Sequence, residues 1–176
     1  AERANFAERA AEEGKTGNSV LLDRNAVTYL EGHREIPCEE QGGIYFLNRN
    51  KLSLYKPDSN ELTEVHQFDN VQDVYVANDR LYILDRSSNI TIYNLLTQQE
   101  EKKLQYGDHA SSIGADSKGR IYLAESNGNG DDYDLYLLSP EGTLLSQALS
   151  EEAVYGFCGF DESNGNYYVD TYNNWR

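Results

Sequence analysis

Four similar segments recur along the chain at spacings of roughly 40 residues, which predicts an all-β fold of the propeller type. Each segment is short, apolar and aromatic and is bounded by Gly, Asn, Asp or Arg, which is typical of strands. Four strands in each period make one propeller blade, and a blade buries both faces of its sheet only by stacking on its neighbours. The segments are GGIYFLNR (42–49), DRLYILDR (79–86), GRIYLAES (119–126) and GNYYVDTY (165–172), aligned at Tyr45, Tyr82, Tyr122 and Tyr168.

Further strand patterns flank these segments and complete the predicted blades. The strands that follow the segments are predicted over residues 51–56, 62–68, 89–94, 102–106, 134–139 and 144–149. The strands that precede them are predicted over residues 36–40, 72–78, 111–117 and 154–160. The sequence therefore predicts complete blades over 71–106 and 111–149, another over 36–68, and only two strands over 154–172.

The first seventeen residues are predicted to differ from the rest. AERANFAERAAEE (1–13) is rich in Ala, Glu and Arg, which favour a helix, and Gly14 ends that helix. The chain therefore divides into a short N-terminal helix and linker over residues 1–17 and β-propeller repeats over residues 18–176.

The number of blades has two interpretations. Either a hairpin over residues 20–32 completes the two-stranded segment 154–172 and closes a four-bladed ring, or the chain is an incomplete arc of a larger propeller. Six blades need about 240 residues, whereas the chain has 176. An incomplete arc would expose strand edges and would favour a partner chain, including a second copy in a homo-oligomer.

The segment SSIGADSKGRIYLAESNGNGDDYDLYLLSPEGTLLSQ (111–147) resembles one NHL-type repeat of the six-bladed propeller proteins. Such repeats read as an apolar strand, then D-x-x-G-x-I-Y-V-A-D, a variable loop and a strand that ends in D-P-x-G. Residues 116–125 follow the first motif, and residues 139–142 follow the second with Ser139 in place of Asp. The resemblance implies the architecture and leaves the function open, because unrelated propellers share these motifs.

The composition excludes some classes of partner. Fifteen Lys and Arg stand against thirty Asp and Glu, which gives a net charge of −15. That charge repels phosphate backbones and anionic lipid, so nucleic-acid binding is excluded and a membrane surface is disfavoured. The chain has no Met, even at position 1, which indicates a processed N-terminus and allows a membrane tether outside this sequence.

The loop over residues 126–134 is the best candidate metal site. Asn127, Asn129 and Asp131 alternate as the first ligands of a calcium loop do. Leu138 stands where a bidentate Glu closes such a loop, so the full EF-hand pattern is absent. Calcium is therefore the one cofactor candidate, and the alternative is a flexible acidic connection.

Two cysteines, Cys38 and Cys158, fit no metal spacing and both fall in first-strand positions of their blades. In a closed four-bladed ring those strands would be neighbours, and a disulfide would latch the ring by restricting the unfolded chain. The alternative is a pair of buried free thiols, because Cys packs as a small hydrophobic residue.

Recurring acidic and aromatic residues are predicted to have structural roles. The acids near strand ends are expected to cap turns by accepting backbone N–H bonds, and the aligned tyrosines are expected to pack between blades. The acids are Asp23, Asp73, Asp85, Asp116, Glu125, Asp161 and Asp170, and the tyrosines are Tyr45, Tyr82, Tyr122 and Tyr168.

These features predict a non-catalytic binding, scaffold or sensor module that engages a protein, peptide or glycan at the loop face of the central channel. An acidic surface that is rich in Tyr and Asn suits a secreted, periplasmic or membrane-anchored ectodomain, so an extracytoplasmic location is expected. The NHL-type resemblance implies an alternative, a metal-dependent hydrolase or lyase of the six-bladed kind. The sequence singles out no catalytic residue.

Overall fold

The computed structural model describes residues 34–128 and 132–172, which form fourteen β-strands and one short 3-10 helix. The prediction of an all-β fold is therefore confirmed for the described part of the chain. The predicted N-terminal helix and the predicted hairpin over residues 20–32 lie outside the described residues. The chain divides into two compact units, one ending at Gln67 and the other beginning at Phe68.

The first unit contains one four-stranded antiparallel sheet, which we call the first sheet. Its first two strands are linked by the 3-10 helix Glu39–Gln41. Phe46 and Tyr55 are buried and pack with the partly buried Ile44 and Leu62. The strands are Arg34–Cys38 (β1), Gly43–Asn48 (β2), Lys51–Lys56 (β3) and Glu61–Gln67 (β4), each paired with the next along the chain.

The second unit contains two more four-stranded meanders and a hairpin, all antiparallel. The second sheet consists of Val71–Ala77 (β5), Arg80–Asp85 (β6), Asn89–Asn94 (β7) and Gln99–Gln105 (β8). The third sheet consists of Ala110–Ala115 (β9), Ile121–Ser126 (β10), Tyr133–Leu138 (β11) and Leu144–Ser150 (β12). The C-terminal hairpin consists of Ala153–Asp161 (β13) and Asn166–Tyr172 (β14).

The strand boundaries agree with the sequence prediction to within two residues, except at β8. That strand begins at Gln99 rather than at residue 102. The turn before it is shorter than expected because the Asn94 Oδ1 atom accepts hydrogen bonds from the backbone N–H groups of Leu96 (2.8 Å) and Thr97 (3.0 Å). Gln98 then takes a positive φ of 57°, which reverses the chain at once.

The sheets of the second unit stack through their first strands. Strands β5 and β6 contact β9, and β9 in turn contacts β13. The core between the second and third sheets is apolar, and each fully buried Leu or Ile side chain stabilises it by about 1.5–3 kcal/mol. Its buried members are Tyr82, Leu84, Ile90 and Ile92 from the second sheet and Ile113, Ala115, Ile121, Leu123 and Leu138 from the third, with Ala110 at its margin.

Several of the acidic residues at strand ends hold turns, as predicted. The Asp85 Oδ1 atom accepts hydrogen bonds from the backbone N–H groups of Ser87 and Asn89. The Asp116 Oδ1 atom accepts two backbone N–H bonds in the β9–β10 turn, each of 3.0 Å. The Asp161 Oδ1 atom accepts a hydrogen bond from the backbone N–H of Ser163 in its own turn. Glu125 Oε1 accepts the backbone N–H groups of Asp108 and His109 in the loop between β8 and β9. The prediction is wrong for Asp73, whose Oδ2 atom accepts the backbone N–H of Ile113 on β9 of the neighbouring sheet. These short bonds fix the turn ends of the sheets.

Three of the four aligned tyrosines are packed, and two of them, Tyr82 and Tyr122, pack between sheets of the second unit as predicted. Tyr45 and Tyr82 are buried, and the Tyr122 ring stacks on the Tyr167 ring with a centroid separation of 3.7 Å. The prediction is wrong for Tyr168, whose side chain is 53% exposed. Tyr167, the preceding residue, faces the third sheet instead, so Tyr168 points to the opposite side of the hairpin, because neighbours in a strand alternate between faces.

Candidate functional site

A cleft of about 310 Å³ opens between the second and third sheets, at the end where β5 turns into β6 and β9 turns into β10. The β5–β6 turn reverses at Asn78 and Asp79, which take positive φ values of 54° and 57°, as the tightest hairpin turns require. The β9–β10 turn contributes Ser117, Lys118 and Gly119, and Gly119 has a φ of 75°. The side chain of Asn78 ties the two turns together, because its Nδ2 donates to the Asp116 carbonyl oxygen at 2.8 Å.

One wall of the cleft carries a fixed ion pair. The Arg80 guanidinium donates from Nε to Glu101 Oε2 at 2.6 Å and from Nη2 to Glu101 Oε1 at 3.2 Å. Asn94 Nδ2 also donates to Glu101 Oε1, at 2.7 Å. The hydrogen bond from Arg80, followed by the one from Asn94, lowers the pKa of the Glu101 carboxyl. Glu101 therefore stays ionised and holds one orientation.

Two lysines complete the charged rim. Lys102 Nζ donates to the Pro140 carbonyl oxygen at 2.8 Å and lies 3.8 Å from a Glu141 carboxylate oxygen, so it joins β8 to the β11–β12 turn. Lys118 is exposed, and its backbone N–H donates to Asp116. Lys118 is therefore the cation of the rim that is most available to a ligand.

The floor of the cleft is apolar. Tyr82 and Ile92 line it and are 2% and 6% exposed. The Tyr82 hydroxyl accepts a hydrogen bond from Asn78 Nδ2 at 3.4 Å, so its polar end is satisfied. An apolar floor with a charged rim suits non-covalent binding of one or two side chains.

Three solved structures of longer proteins share this arrangement of stacked sheets. BBS1N, solved in complex with ARL6DN, matches at 16% identity with a TM-score of 0.53, over 73% of this chain and 40% of that one. BamB from Moraxella catarrhalis matches at 9% identity with a TM-score of 0.52, over 72% of this chain and 37% of BamB. The hydrazine synthase of Kuenenia stuttgartiensis matches at 14% identity with a TM-score of 0.50, over 70% of this chain and 37% of the synthase chain.

The chain has the β-propeller fold. It spans well under half the length of these structures, and at such identities the likeness shows the fold alone. No family model and no curated protein matches the chain. The NHL-type character of residues 111–147 therefore stays a prediction, and each four-stranded sheet can now be called a blade.

The predicted calcium loop lies between the second and third strands of the third blade. Asn127 is described, and its backbone N–H donates to the Asp132 carbonyl oxygen at 3.2 Å. Asn129 and Asp131 lie outside the described residues. Across 34–128 and 132–172, no three His, Cys, Asp or Glu side chains form a metal-binding group. Calcium binding at this loop therefore stays a prediction.

Both cysteines lie on first strands, as predicted, Cys38 on β1 and Cys158 on β13. Both are free thiols; Cys38 is buried and Cys158 is exposed. The alternative of two buried thiols is thus wrong for Cys158. Because the two residues belong to different units, their pairing stays a prediction. No helix within the described part of the chain is long and apolar enough to cross a membrane.

Sequence reasoning missed the residues of the cleft. The strand pattern places Arg80 opposite Asn94, and Asn94 opposite Gln99. Glu101 reaches Arg80 because a β-bulge leaves it as the extra residue between the pairs Ile92–Lys102 and Tyr93–Glu100. Such a bulge re-aims a side chain without a strong sequence signal. The run of charges over residues 100–103 was the only available hint.

Proposed function

We propose that this propeller is a non-catalytic binding or scaffold module whose partner is a protein. The observation that carries the proposal is the cleft between the second and third blades, where a fixed ion pair and an exposed lysine surround an apolar floor. Its volume of about 310 Å³ is at the small end of ligand pockets and fits one or two side chains of a larger partner better than a whole metabolite.

The rigidity of the cleft supports a recognition role. Hydrogen bonds from Asn78 and Lys102 cross from the second blade to the third, at 2.8 Å each. The cleft is therefore shaped before a partner arrives, which reduces the entropy cost of binding. BBS1N, a propeller of similar fold, was solved with a protein partner, which is consistent with the proposal.

The location proposed from the sequence is extracytoplasmic, and we keep it. Its support is an acidic composition with fourteen tyrosines and few lysines. The partner would then be an exported or cell-surface protein. The binding position proposed here lies between two blades and differs from the channel mouth expected from the sequence.

The test of the cleft is a peptide selection. Phage-displayed peptides are selected against the immobilised protein, and the best binders are measured by isothermal titration calorimetry. We expect Lys118→Glu to weaken at least one selected peptide by about tenfold, the worth of one charge-assisted contact. Lys103→Glu is the matched control, because Lys103 is also exposed, pairs with Glu100 at 3.0 Å and lies outside the cleft.

Both substitutions change the net charge equally, so non-specific electrostatics cancel. Peptides that bind but lose equal affinity in both variants would refute the cleft as the binding site.

The metal-dependent alternative is tested on the same protein by measuring its melting temperature with added metal and with a chelator. A hydrolase or lyase of that kind, or a calcium-binding loop at 126–134, would gain melting temperature on addition of the metal and lose it on chelation.

A further inference from the structure

We infer that the cleft takes a carboxylate next to an apolar side chain, such as an Asp or Glu with an apolar neighbour in a partner protein. This assignment rests on the proposed function, because it concerns the chemical group that is bound at the same cleft. The charged side chains that line the cleft point to this chemistry, since all but one of them have a partner of opposite charge among the described residues.

Glu101 is the acidic residue that lines the cleft, and most of its hydrogen-bonding capacity is occupied. Its Oε2 atom accepts the Arg80 Nε–H at 2.6 Å. Its Oε1 atom accepts hydrogen bonds from Arg80 Nη2 at 3.2 Å and from Asn94 Nδ2 at 2.7 Å. Because three of the about four acceptor positions of a carboxylate are thus filled, a cationic ligand would find little to bind here.

Two of the three cations that line the cleft are also engaged, and Lys118 is the exception. Arg80 is held by Glu101, and Lys102 Nζ lies 3.8 Å from a Glu141 carboxylate oxygen. Within residues 34–128 and 132–172, no carboxylate or other acceptor contacts the Lys118 ammonium. Lys118 is exposed as well, so its charge is available to an anion from outside the chain.

The other acids near the rim do not compensate Lys118, because each of them faces a different cation. The Asp116 Oδ2 atom accepts the Arg120 Nε–H at 2.6 Å, and Asp79 attracts the guanidinium of the adjacent Arg80. The chain as a whole, with its net charge of −15, repels an acidic partner at long range. Salt screens charges beyond about 8 Å under physiological conditions, so a contact with Lys118 inside this distance decides which group binds.

The turn between β9 and β10 holds Lys118 at a fixed place on the rim. The Asp116 Oδ1 atom accepts the backbone N–H groups of Lys118 and Arg120, at 3.0 Å each. Ser117 lines the cleft on the same turn and is exposed, so its hydroxyl is a second donor beside the ammonium. This pair of donors suits a carboxylate, which only accepts hydrogen bonds and forms its strongest ones with charged donors.

The apolar part of the cleft selects the neighbour of the carboxylate. Tyr82, Ile92 and Pro140 supply apolar surface within a volume of about 310 Å³. The Tyr82 hydroxyl is already held by Asn78 Nδ2 at 3.4 Å, so the floor offers carbon atoms rather than a free polar group. An apolar side chain would cover this surface while the carboxylate reaches the rim, and the small volume leaves room for little else.

Nuclear magnetic resonance titration of the full chain with blocked tetrapeptides tests the assignment, because it detects the weak binding expected of such small probes. The probes are acetyl-Gly-Leu-Glu-Gly-amide and the same peptide with Gln or Lys in place of Glu. We expect the Glu probe to shift the amide signals of Ser117, Lys118 and Gly119 and to bind about fivefold more tightly than the Gln probe. The Lys probe should bind most weakly.

A fourth probe, acetyl-Gly-Leu with a free carboxylate, distinguishes the two sources of the group. Tighter binding of this probe than of the Glu probe would support the assignment with the C-terminus of a chain as the source. Tighter binding of the Glu probe would support it with an acidic side chain as the source.

Lys118→Glu is the decisive variant, since it reverses the charge that has no counter-ion. We expect it to bind the Lys probe more tightly than the Glu probe. Lys118→Met keeps the aliphatic part of the side chain and should bind the Glu and Gln probes equally. Both variants should keep the native melting temperature, because Lys118 is exposed. The matched control is Lys103→Glu, an equal change of charge at an exposed residue outside the cleft, which should keep the native preference.

Equal binding of the Glu, Gln and Lys probes at the same amides would overturn the carboxylate assignment and leave the cleft standing as the binding site. Equal loss of the preference in Lys103→Glu and Lys118→Glu would overturn it too, because only a general charge effect would remain. Shifts at the cleft with a phage-selected peptide, but with none of the four probes, would overturn the assignment alone. The absence of such shifts with any selected peptide or probe would overturn the proposed function as well.

Discussion

A single missing side chain lets the third blade stack on the C-terminal hairpin. Gly114 lies on β9, and its ordinary strand conformation would accept any residue. The neighbours do not, because an added Cβ would approach the Phe157 Cγ to 2.9 Å and the Phe157 Cβ to 2.8 Å. Both are closer than side-chain carbons come in folded proteins, so one of the two sheets would have to move.

We predict that Gly114→Ala lowers the free energy of unfolding by about 1–3 kcal/mol, the usual cost of overpacking a closed interface. Urea unfolding followed by circular dichroism measures it. Gly159→Ala is the matched control, because Gly159 of β13 pairs with Tyr168 as Gly114 pairs with Tyr122. Nothing lies within 4 Å of a Cβ atom added at Gly159. Equal midpoints for the two variants would show that the Gly114 interface is loose.

The wrong prediction that Tyr168 packs between blades also has its explanation at the level of single residues. The repeat register correctly aligned Tyr168 with Tyr122. Alignment fixes the side of the strand, but burial depends on what covers that side. Tyr122 is covered by the Tyr167 ring, whereas Tyr168 is 53% exposed. Burial raises the pKa of the Tyr167 hydroxyl well above its ordinary value, which marks Tyr167 as the packed member of the two.

At the scale of elements, the strands were predictable because their signals are local. The alternation of buried and exposed residues and the turn residues that flank each strand lie within six to ten residues of one another. The bulge in β8 is different, since it depends on how Glu101 reaches Arg80 two strands away. Sequence therefore predicted the strands and missed the cleft that the bulge shapes.

The ion pair formed by this bulge gives a pH-dependent prediction. The folded state lowers the pKa of Glu101 below its ordinary 4.5, mainly through the hydrogen bond from Arg80. Its contribution is thus present above the unfolded pKa and is lost as the pH falls through the folded value. Both side chains are 35% exposed, so solvent screening keeps the contribution below about 1 kcal/mol.

Glu101→Gln should therefore be less stable than the native chain at pH 7, and the difference should shrink towards zero between about pH 5 and pH 3. Chemical unfolding at a series of pH values measures both curves. Glu100→Gln is the control for general charge effects, because Glu100 is the neighbouring residue and its carboxylate lies 3.0 Å from the Nζ atom of the highly exposed Lys103. A difference that stays constant with pH would contradict the assignment of the stabilisation to the Glu101 carboxylate.

At the scale of the whole molecule, the repeat period was enough to predict the propeller fold, because each blade repeats one local pattern. The candidate binding site was not predictable in the same way. The cleft needs side chains from residues 78–102 and 117–140 to meet. Its shape therefore depends on how separate blades stack, which no single repeat encodes.

The labelling of the two cysteines distinguishes a closed four-bladed ring from an incomplete arc of a larger propeller. The structure holds Cys158 exposed and Cys38 buried, both as thiols. We therefore predict that N-ethylmaleimide labels Cys158 rapidly in the native protein and Cys38 only after unfolding, because the reactive thiolate must be accessible. Intact mass before and after adding guanidinium counts the labels.

A closed four-bladed ring predicts a different result, since its first strands would bring Cys38 and Cys158 together. A disulfide requires their Cα atoms to lie within about 7 Å, and neither cysteine would then be labelled without a reductant. Breaking it would remove a cross-link worth about 4–5 kcal/mol for a loop of this length in the chain-entropy picture, and the melting temperature would fall. One native label supports the free thiols, whereas no label followed by two after reduction supports the closed ring.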